Sequence, residues 1–342
     1  MTSSTSSSES PSPPWLPVWA LALTIVAVIV VSWEVMLRSA DLGPEYQDNR
    51  SLWAEVRHEL NRHGRESIAL LGASRVQRGV DVDTLGTAFG RPVFQLAVEG
   101  ASALAVLENL AVDPRFHGTV VYSVAPAFTF NRYQRRVDYG RQRQWLDYYT
   151  GQSYSRQLEQ SLTLWLQGQL AFRSPDAKLT RVVPALVTSG SLPERDHKTT
   201  LGNRVVLMDY SKMPIEANEV GMMQLYLENS APYSTEAWQA SLNYFSALVE
   251  ILRAKGSDVI FVRLPSGEQV GALEAALFPP RIFWDQMESG INATFVHSRD
   301  YPELSGFVAI DGSHIESPRI VEFTERLAEV LRRNGLRAAG DP

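Results

Sequence analysis

Nineteen consecutive residues, Trp15 to Trp33 (WLPVWALALTIVAVIVVSW), carry no charged side chain. As an α-helix rising about 1.5 Å per residue, that run is about 28 Å long, close to the thickness of a bilayer's hydrocarbon core. Trp15, Trp19 and Trp33 stand near its ends, where amphipathic rings favour the membrane–water interface. Residues 15–37 therefore read as a transmembrane anchor that meets lipid through residues 15–33, rather than as a buried core helix. A cleaved signal peptide is opposed by two features. No basic residue precedes the run, and Arg38 would fall at position −3 if cleavage followed Ala40. Charge does not orient the span. Arg38 and Arg50 follow it and no Lys or Arg precedes it, so the positive-inside rule taken literally leaves the C-terminal part in the cytoplasm, but long domains translocate regardless of so few charges.

The rest of the chain divides by pattern. Residues 2–14 are all Ser, Thr, Pro or Glu, so residues 1–14 are expected to be a disordered tail. Within 38–66, Leu52, Val56 and Leu60 recur at helical spacing and predict a juxtamembrane amphipathic helix over 45–63. From residue 67 apolar strands alternate with helices. The expected strands are Ser67–Gly72, Pro92–Ala97, Thr119–Val124, Asp258–Leu264 and Ala293–His297. The expected helices are Ala103–Leu110, residues 234–254 and residues 317–333, with Gly335 just beyond the last. That rhythm predicts an α/β domain over 67–334, a parallel sheet of about five strands with helices on both faces, followed by a short tail, 335–342. Residues 130–234 break the rhythm and read as an insertion or cap with a helical stretch near 153–172.

Composition narrows the functional classes. Of 342 residues, 44% are hydrophobic and 20% charged, which fits a folded domain and excludes a multi-span membrane protein. The net charge of −6 offers no basic surface for nucleic acid. With no cysteine, disulfides, thiolate metal sites and a cysteine nucleophile are excluded. His58, His63, His117, His197 and His297 show no metal-ligand spacing.

In open α/β sheets ligands bind beyond the carboxyl ends of the strands. There the sequence places Gly72-Ala73-Ser74-Arg75, then Glu99-Gly100, and finally Asp311-Gly312-Ser313-His314 before the last helix. The set suggests serine nucleophilic catalysis. Ser74 on a strand-to-helix turn needs a base, which His314 supplies, and Asp311 would fix the imidazole tautomer and stabilise the imidazolium. Backbone N–H groups of Ser74 and Gly100 are candidate oxyanion donors. Arg75 either binds an anionic group of the substrate or pairs with an acidic neighbour. The stretch Arg132–Arg143 reads as a solvated insertion face, with glycan stacking or phospholipid contact as the alternative. Such chemistry needs no metal or cofactor.

These residues resemble the SGNH (GDSL-like) hydrolase superfamily, and are most similar to its membrane-anchored members associated with O-acetylation of bacterial polysaccharides. The resemblance covers residues 67–125 and 234–333. Gly72–Ser74 matches the nucleophile block, though Gly-Ala-Ser stands for the usual Gly-Asp-Ser. Gly100 matches the oxyanion glycine, and Asp311 and His314 match the Asp-x-x-His. No Gly-x-Asn-Asp follows the third strand, and Asn131 is the nearest asparagine for a third oxyanion donor. The resemblance implies a flavodoxin-like three-layer α/β/α fold and an extracytoplasmic or periplasmic catalytic domain. It implies a serine esterase or O-acyltransferase acting on carbohydrate or an acylated small molecule, with a membrane-bound acyltransferase as partner. Two alternatives stand beside it: a catalytically degenerate scaffold that binds a glycan or a membrane protein, and a hydrolase of lipid or peptide esters.

Overall fold

A computed structural model describes residues 15–130, 139–229 and 234–340. The expected tail 1–14, Asn131 and most of the Arg132–Arg143 stretch lie outside the described residues. The chain forms two compact units, one of the residues up to Pro44 with Gln169–Arg195, the other of Glu45–Gly168 with the residues from Asp196 onward.

The second unit is built on a parallel sheet. Its strands are β1 (Ile68–Leu71), β2 (Val93–Gln95), β3 (Thr119–Ser123), β6 (Val259–Arg263) and β7 (Thr294–His297), in the order β2-β1-β3-β6-β7. Between β3 and β6 in sequence, β4 (Lys198–Thr200) and β5 (Val206–Met208) make a separate antiparallel pair. Every residue of β1, β3 and β6 is buried, as expected of parallel strands covered on both faces. Alternation divides them between two cores. Ala69, Leu71, Val120, Tyr122 and Phe261 face the helices Arg50–His63, Leu104–Val112 and Thr235–Ala254. Ile68, Leu70, Val121, Ile260 and Val262 face the helices Val82–Phe89 and Ile320–Arg333. Side chains cap the exposed first turns. Asn49 accepts from the N–H groups of Ser51 and Leu52 at 2.9 and 3.1 Å, Asp81 from Thr84 at 2.8 Å, and Ser234 from Ala237 at 3.2 Å.

All five expected sheet strands form, each trimmed by one to three residues. The juxtamembrane helix starts at Arg50, after the Asn49 cap, rather than at residue 45. The insertion is more structured than its sequence indicates. It holds helices Tyr139–Thr150, Tyr154–Gln169, Leu179–Ser189 and Ile215–Asn229 as well as the β4–β5 pair. Strands of three residues are too short to show a period. Pro184 lies inside Leu179–Ser189, where it reads as a helix breaker.

The first unit contains the helix Trp15–Ser39, which is long and apolar enough to cross a membrane. Its residues from Trp15 to Val31 are exposed, whereas Leu37 is buried in a small cluster with Leu42, Ala171 and Ala177. The Glu34 carboxylate accepts the N–H groups of Ala171 and Phe172 at 2.8 and 3.1 Å, and Arg38 donates to the carbonyl of Gln169 at 2.6 Å.

Phe245, fully buried, meets Tyr122 and Phe261 edge-on with ring centroids 5.9 and 6.2 Å away. Phe245→Ala is expected to lower stability by about 3–5 kcal/mol through lost burial and the cavity left behind, read as a shift of the denaturant midpoint with an unchanged slope.

Candidate active site

The site begins where β1 runs out. Gly72 follows Leu71, and a Cβ there would lie 2.9 Å from the Cβ of Ser123 at the end of β3 and 2.8 Å from Cγ1 of Val76. Only a glycine lets the chain turn between two paired strand ends at that separation. The turn delivers Ser74 as the first residue of the helix Ser74–Gly79. Its N–H is therefore among those with no acceptor in the preceding turn.

The partner loop lies between the 3-10 and helical turns before the last helix. Asp311 Oδ1 accepts the backbone N–H of Ser313 at 3.1 Å and of His314 at 2.8 Å, which folds Asp311–His314 into a tight turn. Gly312 ties this turn to a neighbouring loop by accepting the N–H of Gly267 at 2.9 Å. His314 Nδ1 lies 2.9 Å from Asp311 Oδ2, and its Nε2 lies 2.8 Å from Ser74 Oγ, a contact between residues 240 apart in sequence. Because the carboxylate can only accept, Nδ1 carries the proton, and Nε2 is left to accept from the Ser74 hydroxyl.

Burial tunes these groups. His314 is fully enclosed, and desolvation pushes its pKa below 6.5; the Asp311 bond opposes that push, and the charges of Arg78 and Arg75 add to it. The imidazole is thus neutral at neutral pH and able to take a proton. Burial alone would raise the Asp311 carboxyl, but the His314 bond, the His314 charge and the two backbone donors hold it below its ordinary value.

The three side chains open into a cleft of about 360 Å³. Gly100 lines it, in the left-handed region at φ +66°. So does Asn218, whose Nδ2 is a buried donor with no acceptor among the described residues. Part of the lining is charged. Glu99 binds Arg78, one helical turn beyond Ser74, and Lys198 Nζ at 2.6 Å, and these two cations hold its carboxyl below its ordinary value against the opposing effect of burial. Apolar side chains of Phe128, Met208, Met213, Met222 and Leu225 also line the cleft, Met208 directly across the β4–β5 pair from Lys198.

The sequence singled out Ser74, Asp311 and His314, and the structure brings the three together, with Gly100 on the same cleft. Asn131 lies outside the described residues. Arg75 lines the cleft but is committed to protein partners. Its Nη2 lies 2.7 Å from Glu274 Oε1 and 3.1 Å from the Tyr226 hydroxyl, and its Nε donates to Ser313 at 3.0 Å. It therefore serves an acidic neighbour instead of presenting an open cation to a substrate. Glu274 sits 199 residues further along the chain, beyond the reach of local pattern. Arg78, Lys198 and Asn218 were missed as site residues. Arg78 alone had a local signal, its i+4 spacing from Ser74.

No family model matches the chain, and no curated protein matches it.

Glu274 also receives Arg263 at 3.1 Å, and its side chain is fully buried. Glu274→Ala leaves two buried guanidinium groups without their counter-ion. It is expected to cost about 3–5 kcal/mol, measured by urea unfolding, and to loosen the Ser313 turn that carries His314.

Proposed function

We propose that this protein is a single-pass, membrane-anchored serine esterase or O-acyltransferase that acts on carbohydrate, in polysaccharide O-acetylation or deacetylation, through an acyl-serine intermediate. The single observation that carries the proposal is the continuous hydrogen-bonded series Ser74 Oγ, His314 Nε2 and Nδ1, Asp311 carboxylate, with separations of 2.8 and 2.9 Å. In the acylation step Ser74 Oγ attacks the ester carbonyl carbon while its proton passes to His314 Nε2. The N–H groups of Ser74 and Gly100 meet the oxyanion, and Asn218 Nδ2 offers a side-chain donor. Collapse of the tetrahedral species breaks the bond to the alcohol, which leaves with the proton from His314. A sugar hydroxyl or water then repeats the sequence, and the acyl group departs as a new ester or as the free acid. Asp311 stays ionised throughout and stabilises the imidazolium.

The strand order β2-β1-β3-β6-β7 supports a flavodoxin-like fold, since within the sheet it reads 2-1-3-4-5. The SGNH-like assignment rests on that order together with Ser74 in the turn after β1, Gly100 in the loop after β2, and Asp311 and His314 in the loop before the last helix. The apolar helix Trp15–Ser39 supports the anchor. An extracytoplasmic catalytic domain, a carbohydrate acceptor and a membrane-bound acyl-donating partner are proposed from the same resemblance.

A fluorophosphonate probe tests the chemistry directly. Wild-type protein is expected to label and Ser74→Ala to remain unlabelled. No labelling of the folded wild type would instead favour a degenerate binding scaffold. Asp311→Asn is expected to lower kcat by about 10⁴-fold by presenting the wrong tautomer, followed with a chromogenic acetyl ester. His314 must be neutral to act, so kcat/KM should be flat through neutral pH and fall on the acid side with a midpoint below 6.5, the sense of its shift. An acid limb centred above 6.5 would exclude His314 as the base.

A further inference from the structure

The unit containing the anchor carries a second apolar surface. In the helix Leu179–Ser189 only Val182 is buried. Leu179, Val183, Leu186 and Val187 are 65%, 50%, 40% and 80% exposed. Their spacing of i, i+4, i+7 and i+8 sets them in one stripe along the helix. The helix is apolar enough to stand out by composition, and its one charged residue, Arg181, is paired with Asp176. From Val182 to Pro193 no charged residue occurs.

The depth of this stripe follows from contacts within the same unit. Glu34 is the first charged residue after the apolar run, and its carboxylate binds the N–H groups of Ala171 and Phe172. Those backbone groups therefore sit level with the end of the apolar run. A cavity of about 300 Å³ is lined by Ile29, Val30 and Trp33 of the anchor helix together with Phe172, Ala177, Lys178 and Leu179. Ile29 precedes Glu34 by five residues, about 7.5 Å along a helix. Leu179 thus borders residues on the apolar side of Glu34. Counting Trp33, one residue before Glu34, the lining spans about 1.5–7.5 Å on that side, within the reach of interfacial helices, which bury their apolar face by about 5–10 Å.

We propose that Leu179–Ser189 is a second membrane-contacting element, an interfacial helix whose Leu179, Val183, Leu186 and Val187 enter the outer hydrocarbon beside the anchor. The occupant of the stripe is lipid, because Leu179, where the stripe begins, shares a cavity with Ile29, Val30 and Trp33 of the bilayer-crossing run. The inference rests on the reading of Trp15–Ser39 as a bilayer-spanning helix, and the test separates the two.

The chain has no cysteine, so single cysteines can be introduced into the full-length protein and labelled with an environment-sensitive nitrobenzoxadiazole fluorophore. The positions are Val183→Cys and Val187→Cys on the stripe and Ile25→Cys in the middle of the anchor, with the water-soluble cysteine adduct of the fluorophore as the solvated reference. The labelled proteins are placed in nanodiscs of phosphatidylcholine and phosphatidylglycerol carrying a nitroxide either near the headgroup or deep in the acyl chain. Labels at Val183 and Val187 are expected to be blue-shifted relative to the soluble adduct, and to lose most of their emission to the shallow nitroxide and less to the deep one. Ile25 should respond more to the deep nitroxide. If Ile25 is quenched while Val183 and Val187 behave like the soluble adduct, the interfacial helix is wrong and the anchor stands; the stripe would then be covered by protein. If Ile25 also escapes quenching, both fall.

Discussion

The parallel pairing of β1 with β2 on one side and β3 on the other sets the terms for everything else in the α/β unit. Parallel strands need a crossover between them, and both faces of this sheet are closed by helices. The chain that leaves β1 turns toward one face and the chain that leaves β3 toward the other, which opens a crevice at their carboxyl ends. The crevice is narrow: a single missing Cβ at Gly72 accommodates Ser123. Ser74 is fixed at the first turn of a helix by that geometry, and a loop from the far end of the chain meets it there.

A second constraint is charge taken out of water. Arg75 and Arg263 converge on Glu274, and Arg204 on Asp48, with side chains less than a tenth exposed. Buried ions persist when their hydrogen-bonding capacity is matched, and here the matching reaches into the site. Arg75 donates both to Glu274 and to Ser313, the residue before His314. Its position is therefore a condition for the imidazole's position, although its guanidinium is bonded to protein groups. The Glu99 cluster lines the same cleft, where Arg78 and Lys198 converge on one carboxylate.

How far sequence reaches depends on the length scale of each feature. β1, β3 and β6 are continuous apolar runs between turn residues, and such runs stand out by themselves. The same holds for the charge-free helix. Ser74 and the Asp311–His314 turn were legible because the chemistry occupies strand ends that the α/β rhythm locates. What sequence did not yield depends on pairing across long separations. Glu274 finds Arg75, Lys198 finds Glu99, and three-residue strands find each other, none of which has a periodic signature. Helix Tyr139–Thr150 was hidden because its YGRQRQWLDYYT sequence is largely polar, with Gln142, Leu146 and Tyr149 its buried residues.

Under the proposed serine chemistry, the enclosure of Ser74, Asp311 and His314 would bear on the fate of an acyl group on Ser74. Ser74, Asp311 and His314 are 8%, 4% and 3% exposed, so an acyl group attached there would face little bulk solvent. On the proposed chemistry, water would then compete poorly for the His314 nitrogen with an alcohol bound in the cleft. Exclusion of solvent guards reactive intermediates against hydrolysis. On the proposed chemistry, the partition of an acyl group between an alcohol and water would follow from side-chain burial, the same packing that keeps the imidazole uncharged.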